Sequence, residues 1–239
     1  MIEKILRSGI TAALLYLLMS ASIVRLAHGE RHVLAAAMNS SVPAMVDVLR
    51  FLENGTFQEV FAEYSSDVSP FYLTDVRNEL VVGAVRENGP RYQIDRYDVS
   101  GKLLSQFFMD LGILASMESD SNGSLYFLAN GRLTRTNLTG KVTLSINPGI
   151  GSFGGADADS EGNIYISQYN VLLKYNPQGA LLGSFPLSRT FVGNLSIDEE
   201  GQLLYLGYQP GGFEVYDISQ PLPKLISEFE STEVLHTHL

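Results

Sequence analysis

Residues 117–128, MESDSNGSLYFL, residues 156–167, ADADSEGNIYIS, and residues 195–206, LSIDEEGQLLYL, decide the reading of this chain when set beneath one another. Asp120, Asp159 and Asp198 fall in one evenly spaced column, and Gly123, Gly162 and Gly201 fall in another with the same spacing. After each glycine comes an apolar strand with a tyrosine: Tyr126, Tyr165 and, one place later, Tyr205. A second set of columns runs through YDVSGKLLSQF (97–107), TNLTGKVTLSI (136–146) and YNPQGALLGSF (175–185), where Gly101, Gly140 and Gly179 repeat that spacing. YDISQPLPKLISEF (216–229) is a fourth copy in which Gln220–Pro221 replaces the glycine turn, and RFLENGTFQEVF (50–61) is a fifth, carrying Gly55.

Each of these segments reads as strands of alternating apolar pattern joined by a Gly or Asn turn. One period therefore holds four strands in about 39 residues, the content of a propeller blade. Such a blade cannot bury both faces of its sheet alone, and stacking against its neighbours does so. A β-sandwich with chance-similar hairpins would not repeat one spacing in two independent columns. The expected fold is all-β: a β-propeller of four-stranded antiparallel blades at about 66–112, 113–150, 151–190 and 191–231. Residues 44–64 supply the last two strands of a further blade. About five blades are visible, either five with a thin closing blade fed by the C-terminal STEVLHTHL or an incomplete six-bladed ring.

The GNIYIS strand at 162–167 and the LLKYNPQGALLGSF hairpin at 172–185 resemble NHL-type six-bladed propeller repeats. Those repeats carry an Asp-x-x-Gly-Asn-x-Tyr turn and then an apolar-x-Lys/Arg-Tyr/Phe-Asp/Asn-x-x-Gly hairpin. The resemblance covers 44–231 and implies a fold more than a function, because propellers host protein-binding modules, lactone hydrolases and lyases alike. A lactonase-like relative would hold a divalent metal with an asparagine a few residues ahead of its Asp-Gly turn. The matching positions here are Gly193 and Gly154. A lyase would want a His–acid pair, and beyond residue 29 only His32, His236 and His238 occur, all near the chain ends. The expected function is thus a binding scaffold for a protein, peptide or glycan, with no catalytic residue and no cofactor assigned. A hydrolase or lyase with a degenerate site is the alternative.

At the N-terminus, Lys4 and Arg7 precede an apolar run from Ile10 to Val24, followed by Ala27 and Gly29. That order predicts an export signal or membrane anchor at 1–29, cleaved near Gly29 in the first case, with a linker at 30–43 and the propeller at 44–239. The run is shorter than the ~20 residues of a membrane span. Export to the periplasm or outside the cell is the expectation, with membrane contact only through an uncleaved leader. The formal charge of −10 becomes −12 if 1–29 leave, since three basic groups and one acid go with them, and nucleic acid is disfavoured as a partner. The chain has no cysteine, which removes disulfides and thiolate chemistry.

Individual residues carry weaker signals. Asp157, Asp159 and Glu161, with Gly162, match the first half of a calcium loop, but the twelfth position is Gln168 instead of a bidentate glutamate. An aspartate closing a turn on its own backbone amides explains all three copies. His236 and His238 alternate as a metal-binding pair would, without a third ligand nearby. Asn39, Asn54, Asn122, Asn137 and Asn194 begin Asn-x-Ser/Thr sequons, in a residue class that turns favour in any case. Arg91, Arg96, Arg132 and Arg135 suit either an anion channel or strand-edge charges. Tyr126, Tyr165 and Tyr205 suit interblade packing ahead of a sugar platform.

Overall fold

A computed structural model describes residues 16–25, 31–39, 46–52, 57–65, 67–149, 154–191, 195–198, 202–208 and 212–229. The described residues hold strands and turns and no helix. They form five antiparallel sheets in chain order, the blade arrangement of the β-propeller class. The chain divides into two compact units, residues 1–111 and 112–239.

In the first unit, β1 (Tyr16–Arg25), β2 (Arg31–Asn39), β3 (Val46–Leu52) and β4 (Phe57–Glu63) make one sheet. β5 (Val68–Val76), β6 (Glu79–Arg86), β7 (Tyr92–Tyr97) and β8 (Leu103–Met109) make the next. The segment expected to be a leader and linker thus contributes two strands, with Tyr16 opposite Asn39 and Arg25 opposite Arg31. These join the two strands already expected at 44–64 and complete a four-stranded sheet. An apolar run of this length suits a buried strand as well as a leader core, and periodicity alone does not separate the two. Residues 1–15, 26–30 and 230–239, including the expected cleavage point, His236 and His238, lie outside the described residues. Val48, Phe61 and Ala62 of the first sheet pack with Leu73, Leu80, Val82 and Tyr97 of the second.

In the second unit, β9 (Leu114–Ser119), β10 (Ser124–Ala129), β11 (Arg132–Asn137) and β12 (Val142–Ile146) form a sheet. It is followed by β13 (Ala156–Ala158), β14 (Ile164–Tyr175) and β15 (Leu181–Phe191), and then by β16 (Leu195–Asp198), β17 (Leu203–Gly207), β18 (Phe213–Asp217) and β19 (Lys224–Phe229). β14 covers two strand positions of the repeat. Its first half pairs with β13 and its second with β15, and Tyr169 between them has a positive φ of 48°, the value found at Asn130 in the β10–β11 turn.

Alternation along β14 explains how both its faces are buried. Ile164 and Ile166 point into a cluster with Tyr126, Leu128, Leu133 and Ile146 of the preceding sheet. Tyr165 and Leu172 point the other way, into a cluster with Leu204, Leu206, Tyr208 and Tyr216 of the following one. That arrangement accounts for the nearly continuous apolar runs in the sequence, which a sheet with one wet face would not show.

The repeated columns are turn chemistry. Asp98, Asn137 and Asn176 each accept through Oδ1 from backbone amides two and four residues on, at 2.8–3.1 Å. Each also closes a backbone bond from the glycine three residues on, at 3.0, 3.0 and 2.9 Å. Gly101, Gly140 and Gly179 sit at φ of 85°, 80° and 84°, in the left-handed region where a side chain is costly.

Candidate functional site

The aspartate column follows the same logic one turn earlier. Asp120 Oδ1 accepts from the Ser124 amide and its Oδ2 from the Tyr126 hydroxyl, both at 2.8 Å. In the next copy Asp159 Oδ1 accepts from the Glu161 and Asn163 amides at 3.1 and 2.8 Å, and Oδ2 from the Tyr165 hydroxyl at 3.3 Å. The acid and the tyrosine six residues on form one device: the carboxylate closes the turn and accepts from the phenol of a buried tyrosine.

Asp157 does something else. Its Oδ1 accepts from the Ala158 amide and its Oδ2 from the amide of Ile197 in β16, both at 2.8 Å. Ser116 Oγ likewise accepts from the Ala156 amide at 3.1 Å, so the first strands of successive sheets are pinned side chain to backbone. Glu161 is exposed and accepts from Asn163 Nδ2 at 3.3 Å. The three acids of the calcium reading therefore face N–H and O–H donors, and among the described residues no group of three or more acids or histidines is placed to hold a metal.

The arginines find partners within their own sheets, and Arg135 reaches the next one as well. Arg96 contacts Glu79 through Nε at 3.0 Å and Nη2 at 2.5 Å, and donates to Ser105 at 3.1 Å. Arg132 donates to Ser145 at 3.3 Å, and Arg91 lies 5.8 Å from the Tyr92 ring. Arg135 donates to Thr143 at 3.1 Å and to the Pro177 carbonyl at 3.0 Å. Tyr126 and Tyr165 are core residues, whereas the displaced Tyr205 is only half-buried. Asn137 spends its amide oxygen on its turn.

A pocket of about 330 Å³ lies between the β13–β15 and β16–β19 sheets of the second unit. Its polar lining comes from Asp159, Ser160, Glu161 and Asn163 on one side and Gln202, Ser219 and Gln220 on the other. Leu182, Ile197, Ile218 and Pro221 supply apolar wall, and Lys174 completes it. Lys174 is 8% exposed, and its Nζ lies 5.0 Å from the centre of the Tyr165 ring. The pocket opens at the copy where Ser219–Gln220–Pro221 stands in place of the glycine turn. Reading the sequence as clusters missed Lys174, although Arg96, Arg135 and Lys174 form a further column with the same spacing as the turn glycines. That spacing was the available signal.

Elsewhere on β18, the carboxylate of Glu214 has no exposed surface. It accepts hydroxyl hydrogen bonds from Ser188 on β15 and from Tyr208 and Tyr216, the last at 2.6 Å. Burial pushes this carboxyl up, but the three hydroxyls outweigh burial and hold it below the usual range.

Several tyrosines share the opposite perturbation. Burial first, and a neighbouring carboxylate second, push Tyr126, Tyr165, Tyr208 and Tyr216 well above 10.0, and burial carries Tyr72 up to about 12. The folded state thus holds protons that the unfolded chain releases. Stability from these groups is complete below pH 10.0 and declines as pH rises through the raised folded values. A phenolate absorbance titration should show a lagging class of tyrosines that ionises together with loss of near-ultraviolet circular dichroism. Smooth ionisation of every tyrosine near pH 10.0 with the fold intact would contradict this assignment.

Fold comparison places these features in the β-propeller class. Sqt1 of Chaetomium thermophilum bound to the N-terminus of the ribosomal protein L10 is 12% identical with a TM-score of 0.59, the match covering 87% of this chain and 61% of that one. A chain of the mitotic checkpoint complex is 11% identical with a TM-score of 0.62, covering 89% and 65%. A protein of unknown function from Bacteroides caccae is 13% identical with a TM-score of 0.55, covering 77% and 69%. The chain spans about three fifths of the length of the Sqt1 structures it matches. No family model and no curated protein matches the sequence.

Proposed function

We propose that this chain is a propeller scaffold that binds a protein or peptide segment, with the pocket beside Lys174 as its recognition point. The observation that carries the reading is the pocket itself. It forms where one copy departs from the repeat, and its lining mixes amide, hydroxyl and aliphatic groups in the manner of a peptide-binding cleft. Two similar structures support it: one holds the N-terminus of a ribosomal protein and the other belongs to a multi-protein complex. The NHL-like repeat motif is compatible with such a role.

Export remains part of the proposal, and it makes a competing demand on residues 16–25, because cleavage near Gly29 would remove β1. The test uses the full chain carrying a photocrosslinking residue at Leu182, on the pocket wall, or at Val142 on β12. The intact mass of the purified protein shows first whether residues 1–29 are retained. Specific adducts from position 182 and none from 142, together with no turnover of lactones in the presence of calcium, magnesium or zinc, are the expected result. Metal-dependent lactone hydrolysis, or equal crosslinking from both positions, would overturn the reading.

A further inference from the structure

We infer that Lys174 receives the carboxylate of an acidic residue in a peptide segment of the partner protein. This rests on the scaffold reading above and names the chemistry of its site.

Arg50 on β3 and Arg135 on β11 each lie on the third strand of a sheet. Arg50 donates to the carbonyl of Val99 at 2.7 Å, and Arg135 to the carbonyl of Pro177 at 3.0 Å. Val99 and Pro177 each follow the residue that opens the glycine turn of the next sheet, Asp98 and Asn176. A third-strand cation therefore hooks the turn of the following sheet in both copies.

Lys174 is the next member of its column after Arg135 and lies on the third-strand half of β14, and the turn ahead of it opens at Asp217. Here the hook is missing. Among the described residues its ammonium makes no hydrogen bond and no ion pair, and it meets the face of Tyr165. The turn it would have met runs through Ser219, Gln220 and Pro221, and the pocket opens in front of it. Lys174 is more than nine-tenths buried as a residue, and it lines the open cavity without an acceptor for its ammonium.

The neighbouring acids do not fill that role. The Asp159 carboxylate is spent on its own turn amides, on Asn163 and on the Tyr165 hydroxyl. Glu161 sits on the exposed rim with Asn163. A cation on a largely buried stem has little bulk water to solvate it, and an ionised acceptor gives the strongest hydrogen bond it can form. An Asp or Glu side chain from a second molecule supplies it, with its aliphatic neighbour against Leu182 and Ile218. A free peptide C-terminus carries the same carboxylate chemistry, and the test separates the two sources.

A phage-displayed library of random dodecapeptides is selected on the full chain. Enriched peptides are then synthesised with free or amidated C-termini and with each acid changed to its amide. Binding is read by fluorescence polarisation on the wild type, on Lys174→Met, and on Lys141→Met as an exposed control. The expected peptides carry one fixed internal Asp or Glu. Its amide form binds the wild type at least about tenfold more weakly, whereas Lys174→Met binds acid and amide forms alike. Loss on C-terminal amidation would move the contact to a terminal carboxylate and overturn the side-chain assignment. Peptides that bind the wild type and Lys174→Met equally would sink the Lys174 site while leaving the scaffold reading in place. Absence of any enriched peptide would count against both. Circular dichroism of Lys174→Met shows whether it is folded; if it is not, the acid-to-amide comparison on the wild type decides alone.

Discussion

Gly154→Ala is expected to lower the unfolding free energy by about 3 kcal/mol, the upper end of what overpacking costs. A β-carbon built on Gly154 would lie 1.9 Å from the carbonyl oxygen of Ser167 and 3.0 Å from its carbon. Both are backbone atoms, so no side-chain rotation relieves the clash. The approach is enforced from both sides. Gly155 donates to Ser167 Oγ at 3.0 Å, and the Ser167 amide donates back to the Gly155 carbonyl at 2.9 Å. Ser167 has no exposed surface. For a domain of this size the cost corresponds to a fall of roughly 6–12 °C in Tm. Denaturant unfolding of the two proteins measures it directly, and an Ala variant as stable as the parent would show that the backbone yields. The same contact bears on chemistry. Position 154 is where a lactonase-like relative would carry its metal-binding asparagine, and this backbone leaves no room for any side chain there.

The second large effect is expected at Glu214. Glu214→Leu removes the shared acceptor of three hydroxyls, those of Ser188, Tyr208 and Tyr216. The Tyr208 and Tyr216 hydroxyls are buried, and a buried donor that loses its acceptor costs about 1 kcal/mol or more, whereas the exposed Ser188 turns to water, so a loss of about 2 kcal/mol follows. Glu214→Gln keeps one acceptor oxygen and should lose about half as much. The pH dependence separates the two roles of the carboxylate. Its folded value lies below the ordinary 4.5, so its contribution is fully present above pH 4.5 and is lost as pH falls through the lower folded value. Glu214→Gln should lack that acid-side decline. If the Gln variant lost stability on acidification as the parent does, the carboxylate would not be its source. Because Ser188 belongs to β15 and Glu214 to β18, loss of this contact should also loosen hydrogen exchange protection between the two sheets.

Most of the architecture was legible because it is periodic. The Asp-x-x-Gly and Asx-x-x-Gly columns are local turn devices whose donors and acceptors lie within six residues of each other, as Asp120 with Tyr126 and Asn137 with Lys141 show. Local chemistry of that kind is written in the order of residues. The same reasoning put the calcium-like acids in a turn, where Asp159 is found. It could not foresee that Asp157 reaches the Ile197 amide, 40 residues away. Nor did it foresee a strand at residues 16–25, which it assigned to a leader or anchor, because the composition suits both.

By itself the sequence determined an all-β repeat of fixed period, the positions of its turns, and the absence of thiol chemistry. Only the tertiary structure decided which cation is left without a carbonyl acceptor. Arg50, Arg135 and Lys174 are alike as third-strand cations. Whether each finds a carbonyl depends on the turn of the following sheet, which lies 42–49 residues further on for the two that do. Pairing across stacked sheets is set by how the faces pack. Packing closed the hook for Arg50 and Arg135 and left a pocket at Lys174.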